Sequence, residues 1–158
     1  MRRKNRGTGM KRTAGFSLVE IMVVLAIVGI LASIVYPGYA GYIARSRRIE
    51  GQMALLDILQ QQERFYSLHN TYVAFSADST DPAAQHFKWW SGGEAAGSAY
   101  EMRGEACPDR DISECIEVKA IPGTEKVDAR FRDAECGTLS LNSIGQRRPS
   151  DRPVRCWP

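Results

Sequence analysis

The feature that most constrains this chain is a run of 24 residues, Ile21 to Ala44, without one charged side chain. As a helix rising about 1.5 Å per residue it would extend roughly 36 Å, against about 30 Å for the hydrocarbon core of a bilayer. Such a run predicts a helix that crosses a membrane or is covered by other helices. Gly29, Pro37, Gly38 and Gly41 interrupt it, which lipid tolerates where neighbouring helices satisfy the freed backbone groups. Pro37 lacks an N–H, so a kink or local melting is expected around Ser33 to Tyr36. Ala26, Gly29, Ala32 and Ser33 are small enough for helices to approach closely. One carboxylate, Glu20, directly precedes the run between Val19 and Ile21. A charge there costs about 2.5–3.5 kcal/mol at a bilayer centre and less near an interface, so it calls for a cationic partner.

Charge divides the chain at the same place. Six of the 21 basic residues (Arg2, Arg3, Lys4, Arg6, Lys11, Arg12) precede Gly15, and all 18 acidic residues follow it. Residues 1–15 are basic, Gly-rich and without hydrophobic period, and read as a tail. A product starting at Phe16 has 15 basic and 18 acidic side chains, a net −3, which is not the footprint of a generic nucleic-acid binder. Met10 offers a second start. An ordinary signal peptide would be cut near Tyr39-Ala40, but the apolar run is longer than its usual core of about 7–15 residues. Arg45, Arg47 and Arg48 follow the run, so with a Met10 start, loop charge alone does not orient it.

Beyond Arg45 the helix is expected to continue as an amphipathic segment. Ile49, Met53, Leu56 and Leu59, broadened by Leu55 and Ile58, form a stripe predicted to bury against a sheet. Glu50, Gln52, Asp57 and Gln60 to Arg64 fill the other face, and His69-Asn70-Thr71 ends the pattern. Thr71 to Ser98 reads as a long irregular connection of the functional or mobile kind. Its Trp89-Trp90 pair is either a contact patch or, as we expect of at least one ring, part of the core.

Strands are predicted at Tyr100–Cys107, Cys115–Ile121 and Thr138–Ile144, with a further candidate at Val127–Arg132. Tyr100 and Met102, Ile116 and Val118, and Leu139 and Leu141 alternate onto one face. Turn signals stand at Pro108-Asp109 and Pro122-Gly123. The four cysteines, Cys107, Cys115, Cys136 and Cys156, form no C-x-x-C pair and match no common zinc spacing. Two disulfides in an oxidising compartment are the better reading. Three pairings are open; sequential pairing, Cys107–Cys115 and Cys136–Cys156, is favoured.

Gly15-Phe16-Ser17-Leu18-Val19-Glu20, opening the apolar run, resembles the signature of type IV prepilins. The resemblance implies a pilin fold, α+β, with a long N-terminal helix packed on a small antiparallel sheet. It implies a leader at 1–15, a membrane-spanning and assembly half-helix at 16–44, an amphipathic half at 45–68 and a periplasmic head at 69–158. It implies cleavage between Gly15 and Phe16 by a prepilin peptidase and N-methylation of Phe16. The Phe16 ammonium of a neighbouring subunit becomes the partner of Glu20, and Pro37 falls where pilins have a helix-loosening proline. Cys136-Gly137-Thr138-Leu139-Ser140-Leu141, the closing Cys156-Trp157 and Gln62-Glu63-Arg64-Phe65-Tyr66 resemble PilE-like minor pilins more than type II secretion pseudopilins.

The function implied is that of a minor subunit of a type IV pilus, supporting adhesion, twitching motility or DNA uptake. It would reside in the inner membrane before assembly and on the cell surface after it. Its partners would be the peptidase-methylase, other pilins and the pilus assembly platform. Pseudopilin and pilus-borne DNA receptor are the alternatives. The Cys136–Cys156 loop carries Arg147, Arg148, Arg152 and Arg155 against one acid, Asp151, a local excess suited to DNA phosphates, although a solvated surface loop is the simpler reading. His69 and His86 stand in unrelated contexts, and no phosphate-cradling, G-x-S-x-G or H-E-x-x-H motif occurs. No enzyme, metal or cofactor is expected.

Overall fold

The computed structural model describes residues 15–149, 156 and 157, with the side chains at 35–38 and 40 outside the description. The expectations for the 1–14 tail, Arg152 and Arg155 therefore lie outside the described residues. The chain divides into two units, residues 1–40 and 41–158.

Helix α1 runs over Leu18–His69, its assignment continuing through position 37. It starts with Ile21 N–H bonding to Ser17 C=O at 3.2 Å, and Glu20 lies in its first turn, where a carboxylate suits the helix dipole. At its other end Asn70 adopts φ 56°, the left-handed conformation that Asn tolerates and that closes helices. In the first unit the side chains of 18–34 are all exposed, Leu18 at 74% and Ile34 at 70%. Among the described residues no helix is long and apolar enough to cross a membrane.

The second unit is built on four antiparallel strands in the order β1-β2-β3-β4: β1 Tyr100–Ala106, β2 Ile116–Pro122, β3 Leu139–Asn142 and β4 Arg147–Arg148. Val127–Arg132 is not a strand; it forms turns, with Phe131 N–H bonding to Asp128 C=O at 3.0 Å. The edge strand is instead β4, which pairs through Ser140↔Arg148 and Leu141↔Arg147. Period-two alternation sends Tyr100, Met102, Val118, Ala120, Leu139 and Leu141 into the core. Gly51 lets the Tyr100 ring rest on the helix, since a Cβ there would lie 2.9 Å from that ring.

The helix buries a different stripe from the one its apolar residues predict. Ile49, Met53 and Leu56 are exposed, whereas Leu55 and Ile58 are buried together with Arg48, Gln52 and Gln62. Three polar side chains occupy the inner face because each finds a distant partner there, which removes the penalty of burying it. Gln62 both donates to Val73 C=O at 2.7 Å and accepts from Val73 N–H at 3.0 Å.

The 71–98 connection is less irregular than expected. It holds a short helix, α2 Pro82–Gln85, started by Asp81 accepting from the Ala83 N–H. It also makes bridges at the free edge of β1, Phe75↔Gly104 and Trp90↔Glu101. These cover an edge that would otherwise invite pairing with another chain. Trp89 and Trp90 meet edge to face, centroids 5.0 Å apart. Both are half-buried and neither belongs to the core cluster, contrary to the expectation for that pair.

Candidate functional site

Two regions carry the residues that the sequence singles out. At the start of the first unit, Gly15 and Phe16 lie in irregular chain just before α1, with Phe16 78% exposed. Glu20 stands exposed one turn on, among Leu18, Val19 and Ile21, themselves exposed. A carboxylate on an open apolar face, within a turn of the Phe16 amine that cleavage would create, suits pairing between neighbouring helices.

The second region is the C-terminal end of the head. Disulfides join Cys107 to Cys115 and Cys136 to Cys156, with Cα atoms 5.4 and 5.6 Å apart. The latter loop is tied to α1 by a buried polar cluster that hydropathy alone does not reveal. Arg48 grips Asp133 through Nε at 2.8 Å and Nη2 at 2.7 Å, and reaches Glu135 at 2.9 Å. The Tyr100 hydroxyl donates to Asp133 at 2.7 Å, and the Cys136 N–H to the same carboxylate at 3.1 Å. Gln52 donates to Cys156 C=O at 2.6 Å.

Burial works to raise the pKa of Asp133, but the hydrogen bonds from Arg48, Tyr100 and Cys136 outweigh it and hold the carboxyl below its usual range. Hydrogen bonding to Asp133 raises the Arg48 guanidinium, and burial followed by that same carboxylate raises the Tyr100 phenol. Asp133 is therefore a fixed anion. A signal for this cluster was available only as a charged residue, Arg48, at a core phase of the helix.

Beyond the cluster, β4 presents Arg147 and Arg148, both exposed. Their strand partners put them on opposite faces of the sheet, Arg147 with Leu141 and Arg148 with Ser140. The Arg147 guanidinium carbon lies 5.5 Å from the Trp157 ring centroid, and the Trp157 indole N–H donates to Arg148 C=O at 3.0 Å. The other face holds Glu117, which accepts from the Ser140 hydroxyl at 2.7 Å. Among the described residues no group of His, Cys, Asp and Glu has the makings of a metal site.

Comparison with known proteins bears on the N-terminal region and on the head as far as residue 140. Residues 10–36 match the prokaryotic N-terminal methylation motif. The type IV major pilin protein PilA of Myxococcus xanthus (strain DK1622) is 38% identical over 65 residues, 41% of this chain and 30% of that protein. The type IV major fimbrial protein FimA of Dichelobacter nodosus is 57% identical over 37 residues, 23% of each chain. The matches thus span under a third of these relatives' length. A solved type IV pilin from Shewanella oneidensis aligns over 73% of this chain and 98% of its own, at 24% identity and TM-score 0.46. Residues 37–140 match the family described as type IV minor pilin ComP, DNA uptake sequence receptor. That match takes in most of the chain, and the chain belongs to this family of type IV pilins.

Proposed function

We propose that this type IV pilin is a minor subunit of the pilus that carries a DNA contact on its head. The observation that carries the reading is the family match over residues 37–140, a family described as a DNA uptake sequence receptor. The exposed arginines of β4 support the DNA part. The head thereby takes the role that the sequence offers as an alternative, while the helix keeps the role of assembly element.

Assembly proceeds in three steps on this reading. The prepilin sits in the inner membrane through the 21–44 run, the peptidase cuts between Gly15 and Phe16, and the new Phe16 amine is methylated. Cleavage creates the cation that Glu20 of a neighbouring subunit needs, so only processed chains enter the fibre through the assembly platform. The exposed apolar side chains of 18–34 then become covered by neighbouring helices. Pro37 supplies the place where the helix loosens in the fibre. The family match favours this over the type II secretion pseudopilin.

Top-down mass spectrometry of the protein from membranes and from sheared surface fibres tests the reading. The expected species begins at N-methylated Phe16, is four hydrogens lighter than its reduced form for two disulfides, and occurs in both fractions. A start near Ala40, or absence from sheared fibres, would overturn it.

A further inference from the structure

The two adjacent arginines of β4 are not equivalent, although in the sequence they read as one basic dipeptide. Arg148 pairs with Ser140, which pairs with Lys119, which pairs with Arg103. These four residues form one cross-strand row on the sheet face away from the core. Two cations of that row, Arg103 and Lys119, are already engaged. Arg103 pairs with Glu101 at 2.7 Å, and Lys119 pairs with Glu105 and, at 3.7 Å, with Glu117. Counting Arg148, the face sets three cations against Glu101, Glu105 and Glu117. A face of balanced charge gives a polyanion little net attraction.

Arg147 points the other way. It shares the face of Leu141, a core residue, at the sheet edge where Trp157 packs against the core cluster. The indole is held at two points. Cys156 is buried and disulfide-bonded to Cys136, and the indole N–H is used by the Arg148 carbonyl. A guanidinium 5.5 Å above a ring held in this way loses less freedom on binding than one on an open strand. Its planar fork keeps its N–H edge for an acceptor, which an ammonium on the same stem would not reproduce.

Resting on the DNA reading above, we infer that Arg147, placed over the Trp157 ring, is the DNA contact of β4 and that Arg148 is not. Trp157 is a positioning residue: it holds the guanidinium and fixes the face on which DNA lies. The ligand is duplex DNA, met through its phosphate and base-edge acceptors.

The experiment is fluorescence anisotropy of a labelled duplex oligonucleotide titrated with the full chain in detergent micelles, at several salt concentrations. Arg147→Ala is expected to weaken binding about tenfold and to lower the salt slope by about one. Arg148→Ala is expected to change binding less than about twofold. Arg147→Lys should keep the salt slope yet bind several-fold more weakly, because the charge survives and the planar fork over the ring does not. Trp157→Leu should weaken binding in the Arg147 background but add nothing to Arg147→Ala, a coupling that a merely structural loss would not produce. Thermal melts of each variant show that the head is folded. Trp157→Phe, which keeps a ring, covers the case in which Trp157→Leu unfolds.

Equal losses for Arg147→Ala and Arg148→Ala, or additive effects of Trp157→Leu and Arg147→Ala, would overturn the inference while leaving DNA binding intact. Absence of binding by the unmodified protein would overturn the DNA reading itself and this inference with it. Equal displacement of the duplex by inorganic phosphate and by unlabelled duplex, at matched phosphate concentration, would reduce the site to a general anion contact and sink it as a DNA contact.

Discussion

The two stretches of α1 invert the usual relation between hydropathy and burial. From 18 to 34 the helix is apolar apart from Glu20 and a few small residues, and every side chain is exposed. From 48 to 62 the buried face includes Arg48, Gln52 and Gln62, while Ile49, Met53 and Leu56 face outward. Among the described residues the side chains of the first stretch are exposed, so its apolar surface is open to other helices or lipid. The second has a complete set of partners, and these are specific enough to bury polar groups. One stretch is made for association and the other for closing a head.

The largest expected effect breaks the first half of that comparison. Glu20→Ala should leave leader cleavage intact and abolish most incorporation into sheared fibres, and Glu20→Lys, which repels the neighbouring ammonium, should do the same. Immunoblots of the membrane and sheared fractions read this directly, and wild-type fibre levels for either variant would end the pairing hypothesis.

In the second stretch, Arg48→Met should cost about 3–5 kcal/mol, because it strands a buried Asp133 carboxylate. Chemical denaturation measures the loss, and a cost below about 1 kcal/mol would mean the cluster is not what fastens the head to the helix.

Asp133 also makes a pH prediction. Its folded pKa is depressed, so the stability it contributes is fully present above the ordinary carboxylate range near pH 4. That stability is lost as the pH falls through the lower folded value. Asp133→Asn should flatten the acid limb of a stability–pH profile in that window; an unchanged limb assigns acid sensitivity elsewhere.

A pair of substitutions, one of them with the smallest effect expected, sharpens the difference between the two helix faces of the head. Leu55→Ala should cost about 2–5 kcal/mol, while Met53→Ser, one turn face away and exposed, should stay within about 0.5 kcal/mol. Equal costs for the two would restore the stripe that the apolar spacing suggests.

Much of this architecture is legible in the chain because it follows from local periodicity. Alternation at Tyr100 and Met102, Ile116 and Val118, and Leu139 and Leu141 marks strand faces without reference to anything distant. The helix end is readable in the same way, since Asn70 suits a left-handed residue. The inner face of the helix is not. Arg48 reads as a solvated charge until Asp133, Glu135 and Tyr100 are brought around it from as far as 87 positions away. The Val127–Arg132 stretch fails for a related reason: its backbone N–H groups are taken by turn contacts, Val127 with Thr124 C=O and Phe131 with Asp128 C=O.

The candidate site divides along the same line. Gly15, Phe16, Glu20 and the apolar run form one contiguous motif whose chemistry needs only neighbours in sequence, so sequence alone determined the family signature and the assembly chemistry it implies. The arginines of the C-terminal loop are equally visible as composition, but composition cannot say which way a side chain points. Only the pairing of Leu141 with Arg147 and Ser140 with Arg148 separates the two, and only the fold brings the Trp157 ring face under the guanidinium of Arg147. Facing, burial and partnership depend on contacts between residues far apart in the chain, and those are settled when the sheet closes on the helix.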